Sequence, residues 1–330
     1  MKLENIGFYT LSDARCAQVS PTSPMWRCEI ILTDRCNFKC PYCRGRSSNC
    51  QGDMPYEKVM SVLTQWMCQG LKNIRFSGGE PLLYPYLGEL VEQCKLGGVE
   101  HIAISTNGSY PFAYYNALVA AGVNDFSISL DACCAAAGGK MAGCTETVWQ
   151  RVVKNIAALA KETYVTVGVV LTEQNVDNLT EIVEFAHSLG VADIRIISAA
   201  QYNQVLDGVK RIPQEVLNAH PILKYRVENM LNGRNVRGIR PYDSQRCHLP
   251  IDDSIVRGDY HYPCVVFMRE GGEPIGKVGP NMRQERVEWA ENHCTHCDPI
   301  CKKNCLDICI DHNNRFQGQR YTCCKGNKHA

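Results

Sequence analysis

Residues 36 to 43 read Cys36-Asn37-Phe38-Lys39-Cys40-Pro41-Tyr42-Cys43, a C-x3-C-x2-C pattern with an aromatic side chain directly before the last cysteine. Three thiolates on so short a loop can reach one small inorganic cluster. Iron–sulfur clusters are held by cysteine thiolates, and a four-iron cubane ligated by three of them leaves one iron open to another ligand. A structural zinc site is closed by four protein ligands, usually drawn from two-ligand knuckles. The triplet suits an open cubane better than half of a zinc site, and zinc stays the rival.

The bulk of the chain sets the context for these thiols. A length of 330 residues is long for one domain and implies a large domain with a small one. A hydrophobic content of 45% allows an ordinary core, and a formal net charge of +1 gives neither a nucleic-acid footprint nor a membrane-binding surface. The 20 cysteines are the anomaly. Disulfide scaffolds rich in cysteine are usually short, and the first 26 residues lack the apolar run of a signal peptide. No stretch approaches the roughly 20 apolar residues of a membrane span. Cysteine in this abundance, without an export signal, points to a reducing cytoplasm and metal ligation.

The elements that must position the triplet follow from periodicity. Residues 28 to 33 form an apolar run that reads as a strand ending at the cysteine loop. Val59, Val62, Leu63, Trp66 and Met67 then share one helical face. Strands follow at 73–77, 101–107, 125–131, 164–172 and 193–199, with helices over 111–121, 147–162 and 176–190. Strands alternating with helices imply βαβ units and a parallel sheet, with right-handed crossovers. An open doubly wound sheet and a partial barrel both satisfy that pattern. In either, function gathers at the carboxyl ends of strands. There the chain places the cysteine loop, then Gly78-Gly79-Glu80-Pro81, then Ser105-Thr106-Asn107-Gly108, then Asp131. The small-residue stretch 132–146, with Cys133, Cys134 and Cys144, reads as a flexible connector at the same face. Asn175, after the fifth strand, reads as a helix cap.

These motifs, over about residues 28 to 200, resemble the radical S-adenosylmethionine (radical SAM) superfamily. The resemblance implies an α/β fold, a (β/α)6 partial TIM barrel. It implies that Cys36, Cys40 and Cys43 hold a catalytic [4Fe–4S] cluster whose open iron takes the amino and carboxylate groups of S-adenosylmethionine. One-electron cleavage of that cofactor would give a 5′-deoxyadenosyl radical that abstracts a hydrogen atom from substrate. The cofactor-binding positions implied are Tyr42, Gly78, Gly79, Glu80, Ser105, Asn107 and Ser129. Gly78 and Gly79 would let the backbone approach the ligand closely, with Glu80 an acceptor or a loop brace.

Beyond residue 201 the alternation fades, apart from a helix expected from Pro213 to about Met230. Cys247, Cys264, Cys294, Cys297, Cys301, Cys305, Cys309, Cys323 and Cys324 follow among Pro, Gly and polar residues. A segment with so little apolar content needs metal to fold. Its pattern resembles the SPASM and twitch extensions of radical SAM enzymes. That implies one or two auxiliary [4Fe–4S] clusters, with metal ligands drawn from Cys247, Cys264, Cys294, Cys297, Cys301, Cys305 and Cys309; a twitch of about four cysteines would fit Cys247, Cys264, Cys294 and Cys297. The run C-x2-C-x3-C-x3-C-x3-C departs from the full SPASM spacing, so the ligand pairing stays open. A zinc site here is the rival, and His248, His293 and His296 flank the cysteines.

The expected organisation is an N-terminal segment at 1–27, the barrel at 28–235 and the auxiliary-cluster domain at 236–330. The expected function is a cytoplasmic radical SAM oxidoreductase, or related radical SAM enzyme, giving net oxidation or rearrangement of a small molecule. Its partners would be that substrate and a reducing donor such as flavodoxin or ferredoxin, with neither nucleic acid nor membrane. A ribosomal-peptide maturase is the near alternative, with a peptide as substrate. A non-catalytic zinc or iron–sulfur scaffold or electron carrier is the alternative from another class.

Overall fold

A computed structural model of the protein describes residues 19–43, 52–198, 207–234 and 236–316. Cys16, Cys50, Cys323 and Cys324 lie outside them. The first part of the chain runs β1 (Arg27–Thr33), α1 (Tyr56–Cys68), β2 (Asn73–Gly78), α2 (Leu87–Leu96), β3 (His101–Thr106), α3 (Phe112–Ala121), β4 (Asp125–Ser129), α4 (Ala135–Ala142), α5 (Glu146–Leu159), β5 (Tyr164–Leu171), α6 (Leu179–Ser188) and β6 (Asp193–Ser198). β1 to β6 pair parallel in chain order. This is a mixed α/β, partial-barrel architecture: the alternation implied the parallel sheet with its helices, and the family resemblance implied the partial barrel.

The two faces of the sheet differ in chemistry because side chains alternate along a strand. One face presents Cys28, Ile30, Leu32, Ile74, Phe76, Ile102, Ile104, Phe126 and Ile128. These pack with Val59, Val62, Leu63 and Trp66 of α1 and Val152 and Ile156 of α5 in the main core. The other face carries polar residues. The register aligns Glu29, Arg75, Ala103 and Asp125 across four strands, and Ser105, Ser127 and Thr166 across three. A buried polar layer survives only if its members satisfy one another. Ser77 donates to Glu29 at 2.7 Å, Arg75 reaches Ser105 Oγ at 2.8 Å and Asp125 at 3.4 Å, and Arg195 donates to Ser127 at 3.1 Å.

Two expectations change in this part. The stretch 132–146 holds helix α4, which Gly143 ends with φ at 63°, the left-handed conformation common after a helix. Gly138 is required there, because a Cβ would meet the Trp149 ring at 2.0 Å. The helix expected from Pro213 to Met230 is split at His220. After α7 (Asp207–Arg211), α8 (Gln214–Ala219) stops where Pro221 begins α9 (Pro221–Leu231). Proline has no N–H to continue the ladder and forces the preceding residue out of helical geometry. His220 accordingly sits at φ −125° and ψ 89°.

The C-terminal part continues with β7 (Asp253–Arg257), β8 (Tyr260–Tyr262), α10 (Val265–Arg269), β9 (Gly276–Lys277), α11 (Met282–Asn292), α12 (Pro299–Asn304) and α13 (Asp307–Arg315). β7 pairs parallel with β1, and β8 and β9 add antiparallel. Among the described residues the result is one nine-stranded sheet in the order β6-β5-β4-β3-β2-β1-β7-β8-β9. The cysteine-rich segment therefore grows from the edge of the barrel sheet. Val256 and Met282 enter the main core, and its other apolar residues form small clusters, such as Ile255 with Ile31 and Met268. No helix of the described residues is long and apolar enough to cross a membrane.

Candidate active site

The cysteine loop leaves β1 at the carboxyl end of the sheet, and four neighbouring segments hold it. On one side is the loop after β2. Gly79 N donates to Thr33 O at 2.7 Å and Glu80 N to Arg35 O at 2.8 Å. A Cβ on Gly78 would stand 2.3 Å from Thr33 O, and one on Gly79 would stand 2.2 Å from Arg35 O. The glycine pair is thus demanded by the close approach of two backbones, the second leading straight into Cys36. Arg35 extends the brace through Asp53, at 2.9 and 2.6 Å, and Leu83 O, at 2.8 Å.

Glu80 is fully buried and joins this loop to the end of β3. Its carboxylate accepts from Thr106 Oγ1 at 2.7 Å, Asn107 N at 2.7 Å and Leu82 N at 3.2 Å. Burial pushes its pKa up to about 7, while these donors pull the other way. Its position makes it the brace rather than an open acceptor. Asn107 then reaches the cysteine loop directly. Its Nδ2 donates to Asn37 Oδ1 at 2.7 Å and lies 3.9 Å from Cys36 Sγ, while Asn37 donates to Ser109 at 2.8 Å.

The third support is α4. Lys39 N donates to Ala142 O at 3.1 Å, Cys40 Sγ lies 3.6 Å from the same oxygen, and a Cβ on Gly143 would meet Lys39 at 2.9 Å. The fourth is Asp131, after β4. Tyr42, directly before Cys43, donates its hydroxyl to Asp131 Oδ2, and Asp131 Oδ1 accepts from Val170 N at 2.6 Å. Asn175 braces the same corner by donating to Asp131 O and Val170 O, both at 2.9 Å, and its side chain caps no helix. Burial raises Asp131 to about 6. Finally, Arg257 of β7 pairs with Asp34 at 2.9 Å, so the C-terminal strand steadies the entry to the loop.

Cys36 and Cys43 are exposed and Cys40 half-buried. Burial lifts Cys40 to about 11, with Asp131 and the thiols of Cys43 and Cys36 adding to the rise. Among the described residues, the one set of three His, Cys, Asp or Glu side chains with ligand atoms all within 4.8 Å of one another is found elsewhere. The three thiols are therefore spread wider than a single ion draws its ligands. A multi-iron cluster, which puts a separate iron behind each thiolate, suits that spread. Ser105 lies beneath, occupied by Arg75, and Ser129 is exposed at the end of β4. Sequence reading missed Arg75, Arg195 and Asn37. The polar layer was legible only as an absence of apolar residues at alternate strand positions.

A second site lies in the C-terminal part. Cys247, Cys264, Cys301, Cys305 and Cys309 border one cavity of about 40 Å³, walled by Leu249, Phe267 and Trp289. Cys294 and Cys297 do not line it. Cys264 Sγ accepts from Phe267 N at 3.3 Å and Cys247 Sγ from Asn313 Nδ2 at 3.5 Å. Burial pushes the Cys247 thiol up to about 12. His248 stacks on Phe316 at 3.7 Å, and His296 contacts Asp243 O at 3.1 Å.

Comparison with known proteins agrees with this architecture. A GTP 3′,8-cyclase of Nautilia profundicola is 28% identical over 79% of this chain and 92% of its own length. A probable GTP 3′,8-cyclase of Methanocaldococcus jannaschii is 26% identical over 72% and 84%. The crystal structure of Streptococcus suis SuiB bound to S-adenosylmethionine superposes with a TM-score of 0.58. It covers 87% of this chain and 77% of that one at 12% identity, a likeness of fold. Residues 30–186, which carry the cysteine loop, the glycine pair and the braces around them, match the Radical SAM superfamily, and this chain is a radical SAM enzyme.

Proposed function

We propose that the chain cleaves S-adenosylmethionine reductively at the loop of Cys36, Cys40 and Cys43 and abstracts a hydrogen atom from a small polar molecule seated on the inner face of the sheet. The net outcome is oxidation or rearrangement. The observation that carries this reading is the placement of an ionic and hydroxyl layer beneath the cysteine loop. Arg75, Ser105, Ser127 and Arg195 are hydrogen-bonded there on the face turned away from the helices. A fixed set of charged and hydroxyl groups recognises a substrate of matching polarity.

Cys36, Cys40 and Cys43 would hold a [4Fe–4S] cluster, and the chemistry it supplies with S-adenosylmethionine bound is one-electron cleavage of the sulfonium. The protein's own part is positioning and exclusion of water. Glu80 locks the β2 and β3 loops together, Asn107 orients the loop beside Cys36, and Tyr42 with Asp131 fixes its far end. Ser105, Asn107 and Ser129 would meet the cofactor's ribose or carboxylate, as the family resemblance implies, Ser105 while also accepting from Arg75. In the C-terminal cavity, the cysteine thiols would hold an auxiliary [4Fe–4S] cluster. A reducing partner such as flavodoxin or ferredoxin would supply the electron, in the cytoplasm.

Two of the relatives are named for a reaction of GTP, which makes a nucleoside triphosphate the first substrate to test. The experiment is anaerobic incubation with dithionite and S-adenosylmethionine, with and without GTP, measuring 5′-deoxyadenosine and its deuterium content from labelled substrate. Cleavage no faster than in a Cys36, Cys40 and Cys43 triple alanine variant would overturn the reading. Cleavage without deuterium transfer from GTP would move the search to other small molecules or to peptides.

A further inference from the structure

Five thiols border the C-terminal cavity, and a cubane takes four. Cys301 is set apart from the other four by what else it touches. His293 Nε2 lies 3.6 Å from Cys301 Sγ and 3.7 Å from Asp298 Oδ2. The three ligand atoms all lie within 4.8 Å of one another, the one such group among the described residues. A tetrahedral zinc ion with ordinary bond lengths would set its N–S edge at about 3.6 Å and its N–O edge at about 3.4 Å. The observed spacings of 3.6 and 3.7 Å need only a small closure to meet those edges.

The surroundings suit an ion as well. Asp298 divides its carboxylate. Oδ1 caps α12 by accepting from Ile300 N and Cys301 N, both at 2.8 Å, while Oδ2 turns toward His293. The His293 ring is held flat on Trp289, with centroids 3.9 Å apart and planes at 15°. The His293 and Asp298 side chains are 17% and 18% exposed, so an ion has a route in. Thiolate, imidazole and carboxylate together form the mixed donor set that borderline divalent ions take.

We infer that His293, Asp298 and Cys301 bind one divalent ion of the zinc class, and that Cys301 is thereby withdrawn from the auxiliary cluster. The cluster's thiolates are then Cys247, Cys264, Cys305 and Cys309. Binding displaces the Cys301 thiol proton and involves no electron transfer. The ion ties the end of α11 at His293 to the start of α12 at Asp298. The ligand pairing rests on the auxiliary-cluster reading above, whereas the ion site stands on its own geometry.

The test is iron and zinc content of the full chain purified anaerobically, with cobalt(II) added to zinc-depleted protein as an optical probe. Wild type is expected to carry zinc beside its iron and to give a thiolate-to-cobalt charge-transfer band. Asp298→Asn keeps the cap, since asparagine caps as well as aspartate, yet removes the anionic ligand. It and His293→Gln are expected to lower zinc affinity at least tenfold with iron unchanged. Cys301→Ser is expected to lose the cobalt band and keep all iron, while Cys305→Ser loses about half of the iron and keeps the zinc. Equal iron loss in Cys301→Ser and Cys305→Ser, or zinc retained in both His293→Gln and Asp298→Asn, would overturn the ion site. Full iron in Cys305→Ser would overturn the auxiliary cluster and with it the pairing, leaving the zinc measurements to judge the ion site alone.

Discussion

Arg27 and Asp253, 226 positions apart in the chain, form a two-pronged ion pair with N–O distances of 2.9 and 2.5 Å. They face each other in register at the start of β1 and β7. Their side chains are 12% and 6% exposed, so water offers little compensation if one partner is removed. Breaking a buried pair typically costs about 3–5 kcal/mol, because the remaining charge is stranded. Arg27→Ala and Asp253→Ala should each lower the unfolding free energy measured in urea by that amount, and the double variant should recover part of the loss. Single variants within about 0.5 kcal/mol of wild type, the level of surface substitutions, would mean that β7 is dispensable to the sheet that carries the catalytic loop.

This pairing marks the limit of what the sequence conveys. The first six strands were legible because runs such as Phe126-Ser127-Ile128 alternate cleanly, and because apolar helical faces separate them. The cysteine triplet and the glycine pair were legible by type and spacing. β7 reads Asp253-Ser254-Ile255-Val256-Arg257. It is short, and its polar ends answer Arg27 and Asp34 rather than solvent, a requirement that appears only when distant strands meet. The glycines show a similar limit. Their spacing pointed to close approach by a ligand, but Gly78 and Gly79 are pressed first against Thr33 and Arg35 of the chain itself. The grouping of Cys301, Cys305 and Cys309 with Cys247 and Cys264 needed the geometry of α12 and α13, since a run of evenly spaced cysteines carries no pairing of its own.

Gly79→Ala should separate that backbone demand from general stability. The new Cβ would stand 2.2 Å from Arg35 O, forcing a shift in the segment that enters the cysteine loop. Overpacking of this kind costs about 1–3 kcal/mol, and catalytic-site iron should fall with it. Gly88→Ala is the control, because nothing lies within 4 Å of its Cβ and it sits within α2. It should gain up to about 1 kcal/mol from reduced chain entropy. Normal iron loading in Gly79→Ala would show that the two loops can separate without harm to the site.

Alanine at Cys36, Cys40 or Cys43 should abolish formation of 5′-deoxyadenosine under dithionite while iron in the C-terminal cavity remains. The two sites are held by different elements, the first by loops after β1 to β4 and the second by α10, α12 and α13. Each single variant should therefore lose about four irons per chain and no more. Iron quantitation beside a single-turnover cleavage assay measures both. Loss of all iron would mean that the C-terminal site forms only on a loaded catalytic loop.

Tyr42→Phe probes the far end of the loop and carries a pH signature. Asp131 has a folded pKa of about 6 against a reference of 3.8, raised by burial and held down in part by the Tyr42 hydroxyl and Val170 N. A carboxyl with a raised folded pKa binds more protons folded than unfolded between those values. Its stabilising contribution is complete below about 3.8 and is lost as pH rises through about 6. Removing the Tyr42 hydroxyl takes a donor from the charged form and pushes that pKa higher, so the penalty grows with pH. Tyr42→Phe should be destabilised by about 1–3 kcal/mol at pH 8, the cost of an unmet buried acceptor, and by clearly less at pH 5.5. The ring itself is kept, so cleavage of S-adenosylmethionine should persist at a reduced rate. Anaerobic urea unfolding at the two pH values measures the difference. An equal shift at both would show that the hydroxyl acts on loop packing alone, with no hold on the charge of Asp131.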